Sequence, residues 1–444
     1  MSPLPAELAA RTAPSCRRKR LSRVGPRATA FFQGWYVVAA AFVITLLSFG
    51  SAYTFSAFFE VLQSTFGASR GSASLVFSLA GFVYFGLGAI SGPLADRWGA
   101  RRLAIAGMCL VGSGLLVAGI AESLVVIYAA YGLGVGLGIG CAYVPVLGAV
   151  QRWFVARRGL ASGLAVSGSG VGTLVMPLLA TFLIKQFGWR DAYLVLGGLV
   201  VVLGVAAAWR VHDDPRKLGL QPQGDTSNVS GLVAGSSIRE AITSKYFLQL
   251  YAACAVCAFS VFVPFVHLVP YALDHGIDHS SAVFLIGAIG IGSTVGRFLL
   301  GGVADKVGRN EALLVMLVGM GAAHTLWALS DGYATLVIFA LVFGVFYGGF
   351  VAVLPALIMD RFGGRNVGGI IGVLYTSIAL GTLVGPTAAG FAYDLTHSYQ
   401  LPIISGIAAD LIAACIVGHV VGGIHRRRSS PSRVRRLVGS AAGA

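Results

Sequence analysis

GPLADRWGARR at residues 92–102 and GGVADKVGRN at 301–310 are two copies of one pattern, each following a long apolar block. Asp96 and Asp305 stand 209 positions apart, Pro145 and Pro355 stand 210 apart, and Pro177 and Pro386 again 209. Three landmarks at nearly one offset define an internal duplication, so the chain reads as two similar halves in series.

Around the two motifs lie twelve apolar blocks, each near the ~20 residues that a helix needs to cross a bilayer core. They run 35–59, 72–91, 103–121, 124–149, 159–184, 191–210, 246–272, 281–301, 312–329, 333–359, 368–391 and 401–423. Hydrophobic residues make up 56% of the chain and charged residues 11%, against about 25% charged in an average soluble domain. The predicted fold class is all-α integral membrane, twelve transmembrane helices in two six-helix pseudo-symmetric halves. Its predicted organisation is a basic tail (1–33), a first half (34–210), a linker (211–245), a second half (246–423) and a second basic tail (424–444).

Charge placement orients this arrangement. With both termini cytosolic, 28 of the 32 Lys and Arg residues fall on the inner side; Arg70, Lys185 and Arg190 fall outside and Arg297 lies within a span. The positive-inside rule therefore predicts a multi-pass protein of the cytoplasmic (plasma) membrane with both tails inside. The net charge of +15 is topological, with attraction to anionic lipid heads as a second effect. It forms no aromatic-studded basic face, so no nucleic-acid partner is expected. The opening residues read as a cytosolic tail rather than a cleaved leader, because the apolar run that follows is too long.

No cofactor or metal is expected. GLGVGLGIG (132–140) has no strand before it and no Lys-Ser/Thr after it, so its glycines serve close helix packing rather than phosphate binding. Cys254 and Cys257 form a CxxC with no second pair, which packs rather than binds zinc.

The doubled motif resembles the loop signature of the major facilitator superfamily, and the resemblance runs from Gly34 to about Gly423. It implies two six-helix halves with a substrate site between them near midplane. It also implies a conformational latch in which Gly92, Asp96, Arg97, Gly99 and Arg101 are echoed by Asp305, Lys306 and Arg309. Ala100 departs from that pattern, at a position often basic. GWYVVAAAF (34–42) and RWFVARRGLASGLAVSGSGVG (152–172) are similar to segments of monocarboxylate transporters. FVPFVHLVPYALDHGI (262–277) and IGSTVGRFLLGGVADKVGR (291–309) look like their bacterial and oxalate–formate exchanger relatives.

Within this frame Arg297 is the leading binding candidate. It precedes Asp305 by eight residues, ~12 Å of helix rise, and so reaches well into the core. At the same offset the first half has Gly88, so the repeat does not require the guanidinium. An ionisable group at that depth is costly and usually functional, and a planar guanidinium suits a carboxylate. The resemblance implies the same role. Oxalate exchangers carry a Lys in span 11, whereas VLYTSIALG (373–381) has none; one buried cation suits a monoanion. Mammalian monocarboxylate carriers have an Asp and a Lys where Ser293 and Tyr53 stand here, so the familiar proton-coupling groups are missing. His267 is a substrate-binding candidate, as a donor to a carboxylate in the cavity, and the proton-coupling candidate in their place, or else a histidine bonded to a neighbouring helix. His324 reads as structural, and Asp410 has no evident partner. Tyr53, Tyr143, Tyr347, Phe350 and Tyr375 lie in spans that line the cavity in this fold, with Tyr143 and Tyr375 foremost as hydroxyl donors.

The expected function is secondary active transport of a small organic monocarboxylate, coupled to protons or by exchange, by a chain that works as a monomer. Two alternatives remain at this point. One is proton-driven export of a hydrophobic or cationic compound, which would call for an acidic cavity. The other is a transport-inactive membrane sensor. An enzyme is not expected, since no nucleophile–base or metal constellation is evident.

Overall fold

Long apolar helices dominate because a buried backbone in lipid must satisfy its own hydrogen bonds. The computed structural model describes residues 32–154, 158–223, 235–363 and 366–428. The basic tails of the sequence reading lie outside these residues, apart from 32–33 and 424–428. Eleven described helical stretches are long and apolar enough to cross a membrane. These are α1 (Gly34–Phe66), α2 (Arg70–Ala95), α3 (Ala100–Gly119), α4 (Leu124–Trp153), a merged stretch Gly159–Trp209, α7 (Lys245–Asp274), α8 (His279–Ala304), α9 (Arg309–Ala328), α10 (Tyr333–Phe362), α11 (Val367–Thr396) and α12 (Gln400–Gly423).

The merged stretch is two spans. Its 51 residues would run ~77 Å as one helix, more than twice the ~30 Å bilayer core. Gly188 interrupts it with φ 82° and ψ 165°, a conformation that glycine adopts without a Cβ clash. We label the parts α5 (159–187) and α6 (189–209), giving the twelve spans expected. Two others are broken within: α1 at Thr54, between Gly34–Tyr53 and Phe55–Phe66, and α7 at Phe262, between Lys245–Val261 and Val263–Asp274.

The duplication is visible in the packing. α1 lies on α5 as α7 lies on α11, α2 on α4 as α8 on α10, and α3 on α6 as α9 on α12. The first six helices meet the last six along α2·α11 and α5·α8. Gly99 and Gly308, again 209 positions apart, each join two helices at positive φ, 88° and 113°. Between the two sets the described part of the linker carries a 3-10 turn, Pro215–Leu218, and a short helix, Ile238–Ile242.

Glycine sets the helix separations. Gly134 and Gly138 of the glycine-rich run in α4 lie against Gly114 and Gly107 of α3, as close-packing small residues do. At Gly296 in α8 a Cβ would fall on the Val345 carbonyl oxygen of α10, whereas at Gly302 it would meet nothing within 4 Å. Because the obstacle is backbone, Gly296→Ala should destabilise the detergent-solubilised protein by about 1–3 kcal/mol. Gly302→Ala should be neutral or slightly stabilising, since alanine is the better helix former. Thermal unfolding of the two variants beside the parent checks this; equal midpoints would show that α8 and α10 can separate freely.

Candidate functional site

α1, α2, α4, α5, α7, α8, α10 and α11 surround a cavity of about 40 Å³ between the two helix sets, room for roughly three water molecules. Of the sequence candidates, Arg297, Tyr53, Tyr143, Tyr347, Phe350 and Tyr375 all line it. Its walls are aromatic: Tyr53 stacks on Phe265 with ring centroids 4.5 Å apart, and Phe49 meets Tyr143 edge-on at 5.0 Å. The Tyr53 and Tyr347 hydroxyls approach to 3.4 Å across the two sets.

Arg297 is the one charged side chain among the described lining residues. Its Nη1 donates to the Val166 carbonyl and to Ser169 Oγ of α5, each at 2.6 Å. That anchors one edge of the fork against the opposite helix set. Nε is buried without a partner, as is the hydroxyl of Ser293 one turn earlier on α8. Buried donors left unmade are costly, so a guanidinium edge and a nearby hydroxyl are positioned for an acceptor. Ser169, Thr173, Phe49, Phe85, Phe262, Phe265 and Ser293 complete the lining in part. None of these was a sequence candidate.

His267 is not among the lining residues. It is wholly buried at one end of the bundle, with Nδ1 3.1 Å from Tyr399 Oη and Nε2 2.8 Å from the Pro386 carbonyl and 3.1 Å from Ser74 Oγ. At that end the two helix sets are tied together. Arg70 pairs bidentately with Asp274 at 2.7 and 2.6 Å, donates to Tyr399 Oη at 2.8 Å, and lies 3.8 Å from the Tyr393 ring centroid. Asp394 caps the first turn of α2, accepting from the Arg70 and Gly71 amides at 2.9 Å each. Burial pushes the Tyr399 phenol well above its ordinary value, so it serves as a hydrogen-bonding hydroxyl.

The motif loops lie at the other end. Arg101 donates its amide to Asp213 Oδ1, its Nε to the Val211 carbonyl and its Nη2 to His212 Nδ1. Asp213 thus supplies the anion at the start of α3 that helix-dipole reasoning calls for. Burial, and then the Arg101 guanidinium, hold the His212 imidazole below its ordinary value. In the second copy Arg309 pairs with Asp360 and donates to the Ala356 carbonyl at 3.1 Å. Each of these contacts stays inside one helix set. Arg97 and Lys306 are exposed, and Gly92 lies beside Val144. The Asp96 and Asp305 side chains lie outside the described residues.

The sequence profile described as Major Facilitator Superfamily matches residues 41–330 and residues 250–439. The chain belongs to the major facilitator superfamily. Its overlapping matches reflect the duplication. Among curated members, monocarboxylate transporter 12-B of Danio rerio is 29% identical over 91% of this chain and 91% of its own length. Monocarboxylate transporter 12 of Xenopus laevis is 30% identical over 84% and 86%, and monocarboxylate transporter 3 of Rattus norvegicus 31% identical over 83% and 76%. Among solved structures, a bacterial homologue of the human lysosomal transporter Spinster, inward-facing and unoccupied, superposes with a TM-score of 0.67 at 17% identity, covering 91% of this chain and all of that one. The fold and family are those of a multi-pass secondary transporter rather than an enzyme.

Proposed function

We propose that this superfamily member carries a small organic monocarboxylate, of lactate or pyruvate type, across the cytoplasmic membrane by alternating access. The observation that carries the reading is the Arg297 guanidinium. Its Nε–H is buried and unpartnered in a small cavity whose other described lining residues are uncharged. A carboxylate takes the free edge of such a fork bidentately. Ser293 and the tyrosine hydroxyls are suited to a 2-hydroxyl or 2-keto oxygen. A dicarboxylate would keep one charge uncompensated in low dielectric, and a cationic cargo would meet a like charge. The kinship with monocarboxylate transporters supports the same class.

With both tails inside, as the positive-inside rule has it, the Arg70–Asp274–Tyr399 cluster lies at the outer end and serves as an outer closure. His267 belongs to that closure, where its hydrogen bonds hold α7 against α2 and α11. Both helix sets of one chain build the cavity, so a monomer suffices.

Reconstitution into liposomes tests this reading. Labelled lactate should be taken up and should be displaced by other short monocarboxylates, with succinate and lactamide competing at least tenfold more weakly, as expected when about 1.4 kcal/mol or more of charge-assisted binding is lost. Competition by lactamide equal to that by lactate would remove the carboxylate–guanidinium contact from this account.

A further inference from the structure

A second polar cluster lies off the cavity, where α7, α9 and α12 meet. Asp410 and His324 are 0% and 1% exposed. Asp410 Oδ2 is 2.8 Å from His324 Nδ1, and Oδ1 is 2.5 Å from Ser260 Oγ. The Cys257 thiol of α7 faces the same carboxylate. α10 presents only rings to the histidine, Phe339 and Phe343, and α9 adds Trp327. The titratable groups facing Asp410 are therefore His324 and Cys257.

The hydrogen bonds are arranged for two protonation states. His324 Nδ1 lies against two acceptors, Asp410 Oδ2 and the Met320 carbonyl at 3.1 Å, so it carries a hydrogen and donates. Its Nε2 is then a bare lone pair, buried and without a partner. Ser260 has one hydroxyl hydrogen and two acceptors in reach, Asp410 Oδ1 and the Cys257 carbonyl at 2.8 Å. While Asp410 is ionised, Ser260 donates to it. Once Asp410 is neutral, its own hydroxyl can donate to Ser260, which turns to the Cys257 carbonyl. A proton can thus rest on the Asp410 carboxyl without orphaning a donor, whereas on Nε2 it would face no acceptor. Holding it, the pair is neutral overall; releasing it leaves one negative charge in the apolar core, which is costly.

We propose that Asp410 and His324 form a proton-binding site of this transporter, taking up one proton for each monoanion carried. The balance is electroneutral: one proton and one carboxylate cross together, and the empty site returns after releasing both. Ser260 connects the pair to the cavity, since it lies two residues before the break of α7 at Phe262, and Phe262 and Phe265 are cavity walls. The coupling to transport rests on the monocarboxylate reading; the proton site itself rests on the cluster.

The test uses the full chain in liposomes: parent, Asp410→Asn, and the double variant Asp410→Leu with His324→Leu. The double variant removes the pair whole, an exchange for apolar side chains that buried pairs often tolerate. Lactate-for-lactate exchange at equal pH needs no net proton movement and should stay near the parent's rate in both variants. Accumulation driven by an inward proton gradient, with co-transported protons read by an entrapped pH dye, should fall to the level seen without a gradient. Gradient-driven accumulation at the parent's level in either variant overturns the proposal, and so does loss of exchange together with accumulation in both, which would make the pair a structural staple. A parent that moves no lactate counts instead against the Arg297 reading. The pair is then judged by acid–base titration of the solubilised protein, where the double variant should release one proton fewer than the parent and an equal count overturns the site.

Discussion

Arg297→Lys should bind the transported monocarboxylate about 10- to 100-fold more weakly than the parent, the equivalent of losing about 1.5–3 kcal/mol of charge-assisted hydrogen bonding. Arg297→Ala should reduce uptake to background. The reason lies in how the guanidinium is divided. Nη1 is committed to the Val166 carbonyl and Ser169 Oγ of the opposite helix set, while Nε remains free. Lysine offers a single ammonium that cannot brace α5 and hold both carboxylate oxygens in one plane. A companion substitution, Ser169→Ala, keeps the charge and removes half of the brace, and should weaken binding less than Arg297→Lys. Concentration-dependent uptake in liposomes, with thermal unfolding as a check on folding, reads all three. Parent-like half-saturation in both Arg297 variants would show that the cargo is held elsewhere.

The second large effect is expected at the far end of the bundle. Arg70→Gln removes a bidentate ion pair, a bond to Tyr399 and contact with the Tyr393 ring. The pair is not fully sheltered, with side-chain exposures of 16% for Arg70 and 31% for Asp274, so its Coulomb part is discounted for solvent. Bidentate geometry and the aromatic contact still support about 1–2 kcal/mol, a five- to thirtyfold shift away from the closed arrangement. Asp394→Asn should move it the same way, since the cap on α2 is charged and comes from the other helix set. Spin labels at the exposed residues Ser64 and Leu395, in a background without native cysteines, would report the separation across this end. A longer-distance population should grow in both variants. Unchanged distance distributions would mean that closure there depends on backbone packing alone.

The scaffold was legible because lipid imposes simple rules. Apolar length, basic loops and a fixed offset each carry a local signal, and the breaks at Gly99, Gly188 and Gly308 fall where short polar loops had been read. Arg297 was legible for the same reason, a charge where its repeat partner is Gly88. The contacts that position it were not. Ser169 and Val166 reach Arg297 only because α5 crosses α8, and nothing in SGSGVG announces that crossing. Asp410 looked unpartnered in sequence because its partners lie 86 and 150 residues away. His324, read as structural, is one of them. His267 read as a cavity residue from its span, yet its partners are Tyr399, the Pro386 carbonyl and Ser74 at the closed end. Arg101 finds its acid in Asp213 of the linker, which no helix pattern singles out.

The two lines on which the helix sets meet have a property in common. Along α5·α8, Gly170 faces the Gly290 backbone, and along α2·α11, Gly372 faces Ala89 and Gly390 faces Gly71. Small residues bring the backbones close at these points, while Thr382 and Phe391 on one seam and Leu174 and Thr294 on the other seat against glycines. Among the cargo-facing groups, Tyr143 and Phe350 stand on helices outside these lines, but Tyr375 of α11 meets Phe85 of α2 across one and Arg297 of α8 braces α5 across the other. Selectivity and movement are therefore partly shared traits in this chain: a substitution at Arg297 or Tyr375 changes a cavity wall and a seam contact together, so a new cargo there comes with a retuned stroke.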